Sequence, residues 1–218
     1  NNGGSNITNT GFELGTTVSY GQTVTSVTEE YQQTAEFGTV GSGDTEFNGP
    51  SGIDIDSAGN IYIVDVGNDR VKKYNSSHVW QENIVSADLP VDNGFVVPRD
   101  ITVLNDDSIV VFDVYSGPGS EGALLFIDAS GTFTDCYGLG TSCSYLQNYN
   151  TGSIVRGLAS TAANDLYYSS VAGSSHGVVG IDSSHAQIYD IYSFTPTDAE
   201  GGFNFPVGLT VDGSGNVY

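Results

Sequence analysis

Residues 47–65 read Phe-Asn-Gly-Pro-Ser-Gly-Ile-Asp-Ile-Asp-Ser-Ala-Gly-Asn-Ile-Tyr-Ile-Val-Asp, and residues 203–218 read Phe-Asn-Phe-Pro-Val-Gly-Leu-Thr-Val-Asp-Gly-Ser-Gly-Asn-Val-Tyr. With Pro50 set on Pro206, and without a gap, Gly52 meets Gly208, Ile53 meets Leu209 and Ile55 meets Val211. Asp56 meets Asp212, Gly59-Asn60 meets Gly215-Asn216, and Tyr62 meets Tyr218. Two looser copies lie between. Pro98-Arg99-Asp100-Ile101-Thr102-Val103 leads to Ile109-Val110-Val111-Phe112-Asp113, and Val155-Arg156-Gly157-Leu158 leads to Leu166-Tyr167-Tyr168. Successive copies start 48, 57 and 51 residues apart, a spacing that marks one supersecondary unit per repeat.

The unit has a physical reading. Ile53 and Ile55 alternate with Asp54 and Asp56, the period of a strand. Asp56-Ser57-Ala58-Gly59-Asn60 is turn chemistry, since Gly and Asn tolerate positive φ. Ile61-Tyr62-Ile63-Val64 suits a buried second strand. Asp65-Val66-Gly67-Asn68-Asp69 makes a second turn, and Arg70-Val71-Lys72-Lys73-Tyr74 a third strand. Ala123–Ile127 and Val178–Ile181 fill the third slot in the next two copies, and a fourth, outer strand follows each. No stretch of 10–12 residues carries a 3.6-residue apolar period, so helix is not expected. Four antiparallel strands repeated every ~50 residues predict an all-β chain of β-propeller blades, with about four blades represented.

Composition narrows the partners. The 218 residues include 26 acidic and 5 basic side chains, for a net charge of −21. Such a surface repels phosphate backbones, so nucleic acid and anionic membranes are excluded as first partners. Charged residues make up only 14% of the chain, below the roughly 25% of an average domain. The acidity thus reflects scarce Lys and Arg. No apolar run reaches 18 residues, so no direct membrane insertion is expected. Cys136 and Cys143 flank Gly138 and Gly140. Metal or redox chemistry is one reading of the pair, and a short disulfide worth roughly 2–3 kcal/mol is the other. Asn6-Ile7-Thr8 and Asn75-Ser76-Ser77 are glycosylation sequons. With the absence of Met, these features point to an extracellular or cell-surface setting after N-terminal processing.

The stretch Phe37-Gly38-Thr39-Val40-Gly41-Ser42-Gly43-Asp44-Thr45-Glu46-Phe47-Asn48-Gly49-Pro50-Ser51-Gly52-Ile53, with Gly59-Asn60-Ile61-Tyr62-Ile63 and Gly67-Asn68-Asp69-Arg70-Val71, resembles an NHL repeat. The likeness is close over 37–74 and 203–218, moderate over 95–128 and loose over 155–182. The resemblance implies an NHL-type propeller over residues 31–218. Such propellers close with six blades, which need roughly 290 residues, and serve adhesion, protein binding, sensing or lyase chemistry. Here the last blade is truncated in its second strand. Either the sequence is part of a longer chain, or strands from another molecule complete the ring. Residues 1–30 read as an N-terminal arm or part-blade. Thr16–Tyr20 and Gln22–Val27 around Gly21 suit a hairpin, which fits an arm or the outer strands of a preceding blade.

Candidate site residues are few. Arg99 and Arg156 share one repeat position at the entry to the innermost strand, near a mouth of the central channel. With Asp54 and Asp100 they form a candidate ligand-binding set: the arginines either receive an anionic ligand or pair with nearby carboxylates. Asp54, Asp56, Asp65 and Asp69 make Ca²⁺ a possible cofactor, though their spacing is not that of an EF-hand, and turn capping is the competing role for Asp56 and Asp212. His78 follows a third strand beside a sequon, and His176 and His185 are expected in exterior turns, rather than in the channel His cluster that the resemblance to propeller lyases would imply. No nucleophile elbow or phosphate loop occurs, and no catalytic residue is assigned. The thirteen Tyr residues either form a glycan-stacking surface or fill strand faces. The expected function is a binding or structural propeller with protein or glycan partners, self-association that completes the open propeller being one form of it. A secreted lyase or hydrolase, or a receptor sensor domain, is the alternative.

Overall fold

The computed structural model describes residues 36–85, 95, 97–114, 122–137, 154–172, 175–184, 186–193, 203–204 and 206–218, without the side chains of 154–156, 170–172, 175 and 189–193. The chain divides into two compact units, Asn1–Glu36 and Phe37–Tyr218. The arm expected at 1–30, with Asn6, lies outside the described residues, and the second unit is the subject below.

A parallel pair, β1 (Thr39–Val40) and β2 (Glu46–Phe47), opens the unit. Three four-stranded sheets follow. The first holds β3 (Pro50–Ile55), β4 (Ile61–Asp65), β5 (Arg70–Tyr74) and β6 (Trp80–Val85). The second holds β7 (Pro98–Val103), β8 (Ile109–Val114), β9 (Gly122–Ile127) and β10 (Phe133–Tyr137). The third holds β11 (Ile154–Ser160), β12 (Leu166–Ala172), β13 (Ser175–Ile181) and β14 (Gln187–Ser193). In each sheet, strands adjacent in sequence are antiparallel neighbours. This is the meander of a propeller blade, and the chain is an all-β propeller. Residues 206–218 begin a fourth blade as a hairpin, in which Thr210 and Tyr218 exchange backbone hydrogen bonds of 3.1 and 2.9 Å.

The repeat is visible in its turns. One slot between the first two strands requires positive φ. Gly59 (φ 80), Asp107 (φ 64), Asn164 (φ 65) and Gly215 (φ 82) fill it, all residue types that tolerate the left-handed region. Three residues earlier, Asp56 Oδ1 accepts the N–H groups of Ala58 and Asn60 at 3.0 and 2.8 Å. Asp212 accepts those of Ser214 and Asn216 at 2.9 Å each. In the third blade, Thr161 Oγ1 takes the same role toward Ala163 and Asp165. The outer hairpins follow a second rule: Asn75, Asp128 and Asp182 each accept two backbone N–H groups.

The core lies between blades. Tyr62, Val64, Val71 and Ile84 of blade 1 pack with Phe95, Ile101, Ile109, Val111 and further residues of blade 2. Val110, Phe112 and Leu124 of blade 2 pack with Leu158, Leu166, Tyr168 and others of blade 3. Each apolar side chain so buried stabilises the pairing by ~1.5–3 kcal/mol. The fourth residue of the innermost-strand motif, counted from the position of Pro50, thus packs toward the preceding blade: Ile101 and Leu158 are 2% and 6% exposed.

One histidine differs from expectation. His176 is not in an exterior turn but lies buried within β13, because Ser175–Gly177 are the first residues of that strand. His78 does sit in a turn, after β5, with φ 61 and its ring stacked on Phe37 at 5.1 Å. His185 lies outside the described residues.

Candidate functional site

The innermost strands converge on a cavity of about 600 Å³, lined by residues 51–54, 100–103, 157–160 and 208–211. Three repeat positions, those of Gly52, Ile53 and Asp54, are common to all four sets, so the channel wall follows from the repeat. Three blades place Gly at the third residue of the motif: Gly52, Gly157 and Gly208. The second places Asp100 there.

A strand at the channel has one edge paired within its blade and one edge bare. Buried N–H groups on that bare edge need acceptors. Asp54 and Asp100 supply them in pairs. Asp54 accepts Ile55 N–H at 2.8 Å through Oδ1 and, in the next blade, Val103 N–H at 2.7 Å through Oδ2. Asp100 accepts Ile101 N–H at 3.0 Å and, in the next blade again, Leu158 N–H at 2.8 Å. Each carboxylate therefore clips two adjacent innermost strands, one near each end of the wall. Hydroxyls complete the ring. Ser160 Oγ donates to the Val103 carbonyl at 2.8 Å. The single proton of Thr102 Oγ1 is then shared between Ser160 Oγ at 3.1 Å and Asp54 Oδ2 at 3.2 Å. Ser51 Oγ donates to the Arg99 carbonyl at 2.6 Å. At the hairpin tips, Ser57 donates twice to the Asp107 carboxylate, and Asn105 N–H donates to Asn164 Oδ1 at 2.8 Å.

Burial pushes the Asp100 carboxyl up to about 6; the Asp54 charge adds to the push, and the two N–H donors oppose it. The close approach of the strands also explains two glycines. A Cβ on Gly52 would sit 2.7 Å from Asp100 Oδ1 and 2.9 Å from its Cα. One on Gly157 would sit 2.8 Å from Leu209 N.

Arg99 is exposed at the start of β7, and the cavity wall begins one residue later, at Asp100. Among the described residues, Arg99 makes no ion pair. Arg156 lies in β11, and its side chain is outside the described residues. The structure thus brings Asp54 and Asp100 to the wall and sets Arg99 at its rim.

The remaining acidic candidates diverge. Asp56 closes its turn: burial works against its charge, but hydrogen bonds from Asn60, Tyr62 and Ala58 hold its carboxyl below the usual range. Asp65, fully buried, accepts Asn48 N–H at 2.6 Å, Asn68 Nδ2 at 2.8 Å and Arg70 Nε at 2.8 Å. Asp69 occupies a left-handed turn position, with its carboxyl raised by burial. Among the described residues, no three His, Cys, Asp or Glu side chains gather in a metal-holding group. Arg70 and Lys72, both buried, grip the segment before the repeat. Arg70 Nη2 reaches the Gly43 and Glu46 carbonyls, and Lys72 Nζ reaches those of Gly43 and Asp44 at 2.9 and 2.7 Å, beneath the Phe47 ring. Asn75 lies in the β5–β6 turn, and Cys136 lies in β10. Cys143 is outside the described residues, so the expected bridge stands as a proposal.

The sequence reading missed the burial of Arg70 and Lys72, and the role of Asp65. The available signal was Gly67-Asn68-Asp69-Arg70, one turn after Asp65. It also held Asp100 without noticing that this residue replaces the glycine of the other three copies.

The NHL repeat family model matches residues 47–74, the turn-and-strand segment built on Asp65 and Arg70. No curated protein matches the sequence significantly. Among solved structures, the chain is similar to hydrazine synthase of Kuenenia stuttgartiensis, at 17% identity and a TM-score of 0.55, over 78% of this chain and 49% of that one. It is also similar to a gluconolactonase of Xanthomonas campestris, at 14% identity and a TM-score of 0.52, over 77% of this chain and 54% of that one. The chain thus spans about half the length of these structures, and at such identities the likeness is one of fold. Four copies of one motif and three complete four-stranded blades make this chain a β-propeller, one of whose repeats, residues 47–74, matches the NHL repeat model.

Proposed function

We propose that the chain is an extracellular or cell-surface propeller that works by binding and scaffolding, presenting its loops to protein or glycan partners. One observation carries this reading: the carboxylates on the channel wall are engaged in holding neighbouring blades together. Asp54 and Asp100 each accept hydrogen bonds from two innermost strands, so using either for chemistry would loosen the wall. The net charge of −21 directs recognition toward neutral or basic partners. A Cys136–Cys143 bridge, and glycans on Asn6 and Asn75, belong to the same proposal. Asn75 favours it locally, because its Oδ1 accepts the N–H groups of Ser77 and Val79 and so fixes the amide in an exposed hairpin.

A second reading has one specific observation behind it. A carboxyl at about 6 in a cavity is what a general acid or base needs at neutral pH. The gluconolactonase likeness suggests the substrates for a test. Purified chain, wild type and Asp100→Asn, is assayed against a panel of lactones and esters, and its melting temperature is followed in parallel. The binding reading expects no turnover above buffer and a lower melting temperature for the variant. Hydrolysis that disappears in Asp100→Asn would overturn it in favour of an enzyme.

A further inference from the structure

The two carboxylate clips of the channel wall run in one direction. A side chain of one blade holds an N–H of its own innermost strand and an N–H of the following blade. Asp54 spans Ile55 and Val103 in this way, and Asp100 spans Ile101 and Leu158. The same step from blade 3 to blade 4 has no clip. By the repeat, Asp54 corresponds to Ala159 and Asp100 to Gly157. A methyl group or a hydrogen stands where an earlier blade carries a carboxylate.

The amides that such a clip would hold are nevertheless present. Thr161 N–H donates to the Asp165 carbonyl at 2.9 Å, inside its own hairpin. Thr210 and Asp212 N–H donate to the Tyr218 and Asn216 carbonyls at 3.1 and 2.9 Å. Successive N–H groups point to opposite edges of a strand, so those of Ser160, Leu209 and Val211 turn to the bare edge at the channel. Among the described residues, none of the three meets an acceptor. Ser160 and Val211 occupy the repeat positions of Ile55 and Val103, the pair that Asp54 bridges through its two oxygens. At Gly157 the strands leave no room for an added group, since a Cβ there would sit 2.8 Å from Leu209 N. Ser160 and Val211, further along the same strands, border the cavity together with Ala159 and Thr210.

We infer that Ser160 N–H and Val211 N–H form a binding site for the carboxylate of a small organic acid, which bridges blades 3 and 4 as Asp54 bridges blades 1 and 2. The site goes beyond the loop-borne recognition proposed above and does not depend on it. The bare edge of a sheet is a ready cradle for an anion, and hydrogen bonds to a charged group are roughly twice as strong as neutral ones. The net charge of −21 opposes any anion at long range. The same charge stands against Asp54, yet paired N–H donors hold its carboxylate at 2.8 and 2.7 Å. The donors lie in the wall of a cavity and not on an exposed loop, which suits a free acid. A monocarboxylate with no further contacts is expected to bind in the millimolar range.

The test is a titration of the full isotope-labelled chain with sodium acetate, read at the backbone amide resonances. Acetamide, and sodium chloride at matched ionic strength, are the controls. The Ser160 and Val211 amide protons should move downfield together and saturate, while Ile55 and Val103, already clipped, stay in place. Acetamide should bind about tenfold more weakly or worse, because it lacks the charge, and chloride should give no saturable shift. Two variants complete the test. Ala159→Asp supplies an internal carboxylate, so it should abolish the acetate response and raise the melting temperature. Val211→Pro deletes one donor that takes no part in the hairpin ladder, a place where a strand tolerates proline. It should weaken acetate about tenfold or more with an unchanged far-ultraviolet circular dichroism spectrum. One variant changes the acceptor and the other the donor, so if one fails to fold the other decides. The proposal is overturned by a wild type with no saturable response, by a response that chloride reproduces, or by one that survives in either folded variant. It is also overturned if a blocked aspartyl peptide binds more tightly than acetate, which would give the site to a partner's side chain. None of these failures touches the scaffolding reading, which stands or falls on turnover.

Discussion

Removing the Asp65 carboxylate should be the most damaging single change in blade 1. Asp65 is fully buried, and the Arg70 side chain is 9% exposed. Asp65→Ala leaves a guanidinium in the interior with only the Gly43 and Glu46 carbonyls for company. It also strips acceptors from Asn48 N–H and Asn68 Nδ2. Breaking a buried pair from one side costs about 3–5 kcal/mol, most of it the price of the stranded charge. In a domain of this size each kcal/mol moves the melting temperature by about 2–4 °C, so a fall of about 6–20 °C is expected. The double variant Asp65→Leu, Arg70→Met removes both charges and should recover at least half of the loss, since hydrophobic replacement of a whole pair is often neutral. Urea unfolding followed by fluorescence suits the question, because the chain's one tryptophan, Trp80, sits in β6 of the same sheet. A cost below about 1 kcal/mol for Asp65→Ala, or a double variant no better than the single, would refute the reasoning.

Three further outcomes are expected. The Asp100 carboxyl lies at about 6 in the folded chain against an ordinary value of 3.8. Its contribution is therefore full below the unfolded value and is lost as pH rises through about 6. Urea melts of wild type and Asp100→Asn should accordingly diverge by up to ~3 kcal/mol between acid and neutral pH, with wild type losing more on the way up; parallel pH profiles would count against this. Gly157→Ala drives a methyl to within 2.8 Å of Leu209 N and 2.9 Å of Gly208 C and Val207 O, all backbone. It should cost about 1–3 kcal/mol and speed amide exchange at Tyr218, and an unchanged melting temperature would contradict the close approach. Lys72→Met loses the bonds to the Gly43 and Asp44 carbonyls. Residues 41–47 should then become the first site of limited proteolysis, and an unaltered digestion pattern would mean that the lysine does not hold the segment.

The fold was legible because the repeat is written in turn chemistry. Pro50, Gly59-Asn60 and Tyr62 recur at Pro206, Gly215-Asn216 and Tyr218, and turn residues report backbone geometry directly. The loose third copy was placed from Val155-Arg156-Gly157-Leu158 and Leu166-Tyr167-Tyr168, and in the structure Thr161 and Asn164 do the work of Asp56 and Gly59 there. The site was harder to read. Asp54 and Asp100 were on the candidate list as ligand residues, but a sequence does not say which bare N–H a carboxylate will meet, and their partners, Val103 and Leu158, lie about 50 residues away on another blade. The burial of Arg70 and Lys72 was not legible, because strand periodicity does not show that carbonyls of residues 43–46 will fold over one face. His176 was misplaced because Ser174-Ser175-His176-Gly177 has turn composition, whereas His176 lies in the seven-residue strand β13.

Hydrogen exchange at two amides tests the central claim, that the channel carboxylates clip neighbouring blades. Val103 and Leu158 should exchange slowly in the wild type. Asp54→Ala should release Val103 and spare Leu158, and Asp100→Ala should do the reverse, because each carboxylate serves one of the two amides. Amides that exchange rapidly in the wild type, or that stay protected in both variants, would contradict the account.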